Sequence, residues 1–272
     1  MARLEASEAL RASLLFWSIS GLVLSEAVAV VIALLHGRTA LLGATLVTFA
    51  WWVLIAAVFF GGASMLATPD GRAVDRYGVP NGLTALRAWL CVPLMLIAVL
   101  SLPERLALAL WVGAGGVVGL LDAADGIIAR RIGPVTVLGK ALDPFMDALF
   151  FPFAALGSYL LGIVPAWLAG LIAFRFAAPL LATPIVFLAR RRPELVHTSW
   201  GRRNTLLIGV VLFTLFWVKL VGGPVWVAAL LAGIPTLVPT TMLHFVALAQ
   251  RVARAPIVST STSGATLGQP PG

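Results

Sequence analysis

Apolar residues fall in eight long blocks separated by short polar or Gly/Pro-rich breaks, and that alternation predicts the architecture. The blocks lie near 13–35, 41–63, 81–101, 106–130, 141–162, 165–189, 204–222 and 225–248. Each is long enough to form an α-helix across a bilayer, which takes about 20 residues. The breaks carry helix-ending chemistry: Gly37-Arg38, Pro69-Asp70-Gly71, Pro80-Asn81, Pro103, Gly133-Pro134, Gly162 to Pro165, Arg192-Pro193 and Gly222-Gly223-Pro224. The first block exceeds the roughly 7–15 residues of a signal-peptide core, and a second block follows soon after, so a retained helix is expected.

The expected fold is therefore an all-α polytopic membrane protein with eight spans. Residues 1–63 form an accessory transmembrane hairpin, 64–80 a polar cytoplasmic linker, 81–250 a six-helix domain and 251–272 a disordered tail rich in Ser, Thr, Gly and Pro. Gly115 and Gly119 make a small-xxx-small pair that predicts close helix packing. Trp51, Trp52, Trp111, Trp167 and Trp200 sit near span ends, where tryptophan suits the membrane interface.

Composition agrees. Of 272 residues, 60% are hydrophobic and 11% charged, which excludes an ordinary soluble domain. The net charge of +8 does not point to nucleic acid, because the basic residues gather at span ends. Fourteen lie on one side of the predicted membrane, while only Arg38, Arg105 and Lys219 lie on the other. The excess of Lys and Arg on cytoplasmic loops then puts both termini in the cytoplasm. The lone Cys91 permits no internal disulfide, and His36, His197 and His244 share no metal-ligand spacing.

Against this background four acids stand out. Asp122 and Asp125 are three residues apart and share a helix face, as do Asp143 and Asp147, four apart on the next helix. Carboxylates near hydrocarbon are costly unless paired or metal-bound. A short connector brings the two helix ends together at the cytoplasmic side. Oxygen-only donors fit Mg²⁺ or Mn²⁺ completed by phosphate oxygens. Gly126 and Ala129 leave room beside the acids, Arg130 offers a fork suited to phosphate, and Gly139 opens the next helix with backbone donors for an anion. Together these residues predict a site for a metal-diphosphate ligand. A calcium loop is excluded, since its alternating ligands and terminal Glu are missing.

The run Asp122-x2-Asp125-Gly126-x2-Ala129-Arg130-x8-Gly139-x3-Asp143-x3-Asp147 matches the signature of the CDP-alcohol phosphatidyltransferase family without a gap or substitution. Val79-Pro80-Asn81-Gly82-Leu83-Thr84-Ala85-Leu86-Arg87 resembles that family's opening segment, and the six spans from 81 onward resemble its six-helix core. The resemblance implies an integral enzyme of the inner membrane, with a cytoplasmic active site, that transfers a phosphatidyl group from CDP-diacylglycerol to an alcohol and releases CMP. It implies that Asp122, Asp125 and Asp143 hold metal, and that Asp147 is the general base and also touches metal. It places Gly126 and Ala129 beside the cytidine and Arg130 on the diphosphate, and it implies a homodimer.

The acceptor is read from basic residues. Arg175 sits near the middle of the sixth span, where a charge needs a polar cavity or a partner. It either pairs with a clustered acid or binds an anionic acceptor, and the second reading is preferred. Lys140, Arg202 and Arg203 add cations at the pocket mouth. The stretch from Ile163 to Arg175 is similar to the phosphatidylglycerophosphate synthase branch of the family, which implies glycerol-3-phosphate as acceptor, with inositol phosphate next. Phe176 stands where that branch carries Glu, and Gly201-Arg202-Arg203-Asn204-Thr205 stands where it carries Gly-Lys-x-Lys-Thr. A transporter or channel is the rival class. It predicts acids spread through the bilayer depth rather than clustered on one helix pair.

Overall fold

The computed structural model describes residues 7–68, 70–131, 136–188 and 199–255, with the side chains of 122–131 and 187 outside that description. Eight long helices appear: α1 Glu8–His36, α2 Leu41–Gly61, α3 Val79–Val99, α4 Glu104–Arg131, α5 Val137–Leu160, α6 Ala166–Leu188, α7 Ser199–Leu220 and α8 Val225–Arg254. No strand is found among the described residues. Of the tail expected at 251–272, residues 251–254 continue α8 to Arg254, and 256–272 fall outside the described residues.

Helix ends follow local chemistry. Ser7 caps α1, its hydroxyl accepting from the Leu10 amide at 3.3 Å. Gly37, at φ 147°, ends that helix in a conformation few other residues adopt. Pro80 sits in the first turn of α3, where its missing N–H costs nothing. Thr136 caps α5 by accepting from the Gly139 amide at 3.0 Å.

Among the described residues, seven helices contain a stretch long and apolar enough to cross a membrane, against the eight expected. The one that falls short is α5, because Lys140, Asp143 and Asp147 all lie in its first half. Residues such as Leu120, Leu181, Leu206 and Leu231 stand more than 70% exposed, an outer surface suited to hydrocarbon rather than water.

α3 is the hub, packing against α1, α2, α4 and α5. On its far side α5 packs on α6, and α7 pairs with α8. Two interlocks join α1 to α3. A Cβ on Gly21 would overlap the Trp89 ring, and one on Gly82 would overlap the Trp17 ring. Each helix thus offers a glycine as the seat for the other's indole.

Three of the tryptophans expected at the interface tie helices together. Trp51 Nε1 donates to the Ala88 carbonyl at 2.8 Å, Trp52 Nε1 to Ser18 at 2.8 Å, and Trp111 Nε1 to the Ser158 hydroxyl at 3.0 Å. An indole N–H in a low-dielectric interior needs such an acceptor. Gly115 and Gly119, expected to seat a neighbouring helix, have nothing within 4 Å of a built Cβ. That face of α4 meets none of the described residues at these positions.

The hairpin and its linker are packed into the core. Leu10, Phe59, Leu66, Tyr77, Trp89 and Met146 belong to one buried cluster drawn from α1, α2, the linker, α3 and α5. Residues 64–80, expected as a polar linker, carry a 3₁₀ turn ending at Met65 and an antiparallel bridge between Ala67 and Ala73. The Val137 amide donates to the Ala67 carbonyl at 2.8 Å, and the Tyr77 amide to the Ser13 hydroxyl at 3.0 Å. Burial pushes the Tyr77 phenol well above its usual range, so it stays neutral. The linker thereby fixes where α5, the helix carrying two of the four acids, begins.

Candidate active site

α4 runs unbroken to Arg131 and α5 starts at Val137, so five residues join them. The expected connector, 131–140, is thus shorter, because Thr136 starts α5 four residues before the apolar block. Five residues span at most about 20 Å, which keeps the two helix ends close. Asp125 lies six residues inside the end of α4, and Asp143 six residues inside the start of α5. At 1.5 Å per residue both are about 9 Å from their helix ends. Asp122 and Asp147 each lie about one turn deeper. The helix backbone places Asp122, Asp125, Gly126, Ala129 and Arg130 on the last turns of α4; their side chains fall outside the described residues.

On α5, Asp143 is exposed and Asp147 half-buried, and neither carboxylate lacks an interaction partner. Among the described residues no group of three or more metal-binding side chains comes together. Asp143 and Asp147 are among those residues, and the side chains of Asp122 and Asp125 are not.

Gly139 has a different part from the one expected. Its amide is engaged by the capping Thr136 hydroxyl, so it is not an open anion donor. The residue itself supplies space: a Cβ there would stand 3.0 Å from Asn81 Oδ1 and 3.2 Å from Thr136 Oγ1. Asn81 Nδ2 donates to the Tyr77 carbonyl at 2.7 Å and to Thr136 Oγ1 at 3.3 Å. The start of α3 and the start of α5 are thereby locked together, about two turns from Asp143.

Arg175 is 6% exposed on α6. It lies close enough to Asp147 for their charges to attract, which joins α5 to α6 across the site. Its Nη2 donates to the Gly201 carbonyl at the start of α7, at 3.4 Å, and its guanidinium lies over the Phe176 ring at 4.5 Å. Its Nε is buried and makes no hydrogen bond. Pairing with a clustered acid and offering a donor to an anion thus coexist in one side chain.

The other expected cations are not gathered around Arg175. Lys140, Arg202 and Arg203 are exposed, and Arg203 stacks over Trp200 at 5.1 Å. They stand in the first turns of α5 and α7.

Four further buried residues have a part here that the sequence does not assign them, although Asn81, Arg87 and Asn204 lie in segments compared with the family. Arg87 is 5% exposed on α3, with its guanidinium 5.9 Å from the Phe150 ring and further interactions besides. The rule that flagged Arg175, a charge inside an apolar span, applies equally to it. Asn81 and Thr136 were less visible, because their importance comes from their contact with each other. Asn204 is also buried, donating to Thr240 Oγ1 at 2.7 Å and Thr241 Oγ1 at 3.0 Å, which ties α7 to α8.

Comparisons with known proteins bear on this arrangement. Two curated relatives, both named "Probable phosphatidylglycerophosphate synthase", come from Mycobacterium tuberculosis strains CDC 1551 / Oshkosh and ATCC 25618 / H37Rv. Each is 32% identical over 134 residues, covering 48% of this chain and 62% of the relative. The chain thus aligns with rather less than two thirds of their length. No solved structure matches. The sequence profile of the CDP-alcohol phosphatidyltransferases matches residues 77–250, which take in α3 to α8 almost entire and every acid described above. On that match, spanning well over half its length, the chain belongs to the CDP-alcohol phosphatidyltransferase family.

Proposed function

We propose that the protein transfers the phosphatidyl group of CDP-diacylglycerol to glycerol-3-phosphate and releases CMP. One observation supports this reading above others. At the start of α5 two acids share a face, and a buried arginine beside the deeper one keeps an unused donor. An acid to take a proton and a cation to hold a phosphorylated acceptor are what the transfer requires.

Asp122, Asp125, Asp143 and Asp147 would hold Mg²⁺ or Mn²⁺. The donor set is all hard oxygen, which fits either ion. When bound, the ion offsets negative charge on the diphosphate. Arg130 adds its fork to that diphosphate, and Gly126 and Ala129 leave space for the cytidine. Arg175 binds the acceptor phosphate through Nε, with Lys140, Arg202 and Arg203 drawing the anion in at the rim. Asp147 accepts the proton of the acceptor hydroxyl. The freed oxygen forms a bond to the β-phosphorus, and the bond from that phosphorus to the CMP oxygen breaks. The protein works as a homodimer in the inner membrane, with the site on the cytoplasmic side.

The test is an acceptor panel. Purified full-length protein is given CDP-diacylglycerol with glycerol-3-phosphate, inositol phosphate, inositol, serine or phosphatidylglycerol, and CMP is measured. Glycerol-3-phosphate should drive release. Release driven only by another member would replace the acceptor, and no release with any would remove the reaction.

A further inference from the structure

Asp147 occupies a stretch of α5 whose helical ladder is weakened on both sides by proline. Pro144 and Pro152 both lie inside α5. Each removes an amide from the helical hydrogen-bond ladder, one turn before Asp147 and just over one turn after it. Something outside α5 has to fix the rotation of this segment.

α6 supplies it. Phe151 lies four residues after Asp147 and so shares its face. Its ring stacks on Phe176 of α6 with centroids 3.8 Å apart and planes within 6° of parallel. The Arg175 guanidinium lies over the Phe176 ring at 4.5 Å, and Nη2 is tied to the Gly201 carbonyl of α7. Arg175 and Phe176 are 6% and 5% exposed, and Phe151 is half-buried against them. Stacked aromatics and a guanidinium over a ring are attractive contacts with defined geometry.

We propose that the stack of Phe151, Phe176 and Arg175 is a positioning device for Asp147. Phe176 is then a positioning residue: it touches no reacting atom, but sets both the α5 face that carries the acid and the plane of the arginine beside it. The inference rests on the role of Asp147 given under Proposed function. A displacement of about 1 Å at a reacting group can cost on the order of 100-fold in rate, so a device of this kind acts on turnover rather than on lipid binding.

The experiment compares Phe176→Leu, Phe151→Leu and Phe176→Tyr in the full-length protein, each checked for a monodisperse peak in detergent. Phe176→Leu should lower kcat by about 10- to 100-fold while KM for CDP-diacylglycerol moves less than about twofold. Phe176→Tyr, which keeps the ring, should keep most of the rate. Phe151→Leu should reproduce the loss, and serves in place of Phe176→Leu should that variant fail to fold. Against an Asp147→Asn background, Phe176→Leu should change the residual rate by less than about twofold, since coupled residues are non-additive. Equal losses in both backgrounds, or a raised KM at unchanged kcat, would overturn the proposal. If Asp147→Asn leaves no rate to measure, the KM-against-kcat split and the tyrosine variant decide. Full activity in Asp147→Asn alone would instead remove the catalytic role of that acid, and this inference with it.

Discussion

A charged side chain in a membrane interior is explained only by what surrounds it, and Arg175 has an acid, a carbonyl and a ring around it. One donor is left over. Arg175→Ala should therefore raise KM for the phosphorylated acceptor by about tenfold or more, while KM for CDP-diacylglycerol changes little; acceptor titration measures it. Arg175→Lys should not restore the affinity, because an ammonium lacks the planar fork that makes these contacts together. Asp122→Asn and Asp125→Asn should each cut CMP release by about 100-fold or more, comparable to losing an electrostatic contact made to the transition state. Release within threefold of the unaltered protein in either variant would remove those acids from the site. At this scale the sequence was most legible where a residue is costly. Asp122, Asp125, Asp143, Asp147 and Arg175 stand out because charge in an apolar run has few cheap explanations. The capping of the Gly139 amide by Thr136 is not legible in the sequence, and Asn81, though it lies in the family-like opening segment, gains its structural part only from the neighbour it meets.

Among helices, α1 and α3 interlock closely. The indoles of Trp17 and Trp89 lie where any side chain on Gly82 or Gly21 would collide. Gly82→Leu should lower stability by about 1–3 kcal/mol, the usual cost of overpacking, read as a drop in the thermal midpoint in detergent. Trp111→Phe should cost about 1 kcal/mol through loss of the bond to Ser158. An unchanged midpoint in both would mean that these contacts do not hold the helices. Helix number and approximate ends were legible, since apolar block length and Gly/Pro breaks act locally. Partners were not. A tryptophan near a span end looks the same in sequence whether it faces lipid headgroups, as expected for Trp51 and Trp52, or a neighbouring helix, as found. Likewise Gly115 and Gly119 have the spacing of a packed pair, yet none of the described residues packs there. The shortfall of α5 as a span has the same root as the site: the acids that make it useful make it polar.

For the whole molecule, the hairpin α1–α2 is joined to the rest by more than chain connectivity. It shares a buried cluster with α3 and α5, and the linker's Ala67 carbonyl anchors the first residue of α5. Removing residues 1–63 should therefore expose that cluster and give a protein that aggregates or loses activity, seen by size-exclusion chromatography and CMP release. A monodisperse, fully active truncation would show that the hairpin is dispensable. The central claim concerns the acids at the junction of α4 and α5, and it predicts a strict ion requirement. The direct measurement is CMP release from CDP-diacylglycerol and glycerol-3-phosphate by the purified full-length protein, stripped with EDTA and then titrated with Mg²⁺ or Mn²⁺. The account predicts no release in the stripped protein, recovery on adding either ion, and no recovery at matched ion concentration when Asp122 or Asp143 is replaced by Asn. Release that persists without a divalent ion, or that recovers equally in those variants, would contradict it.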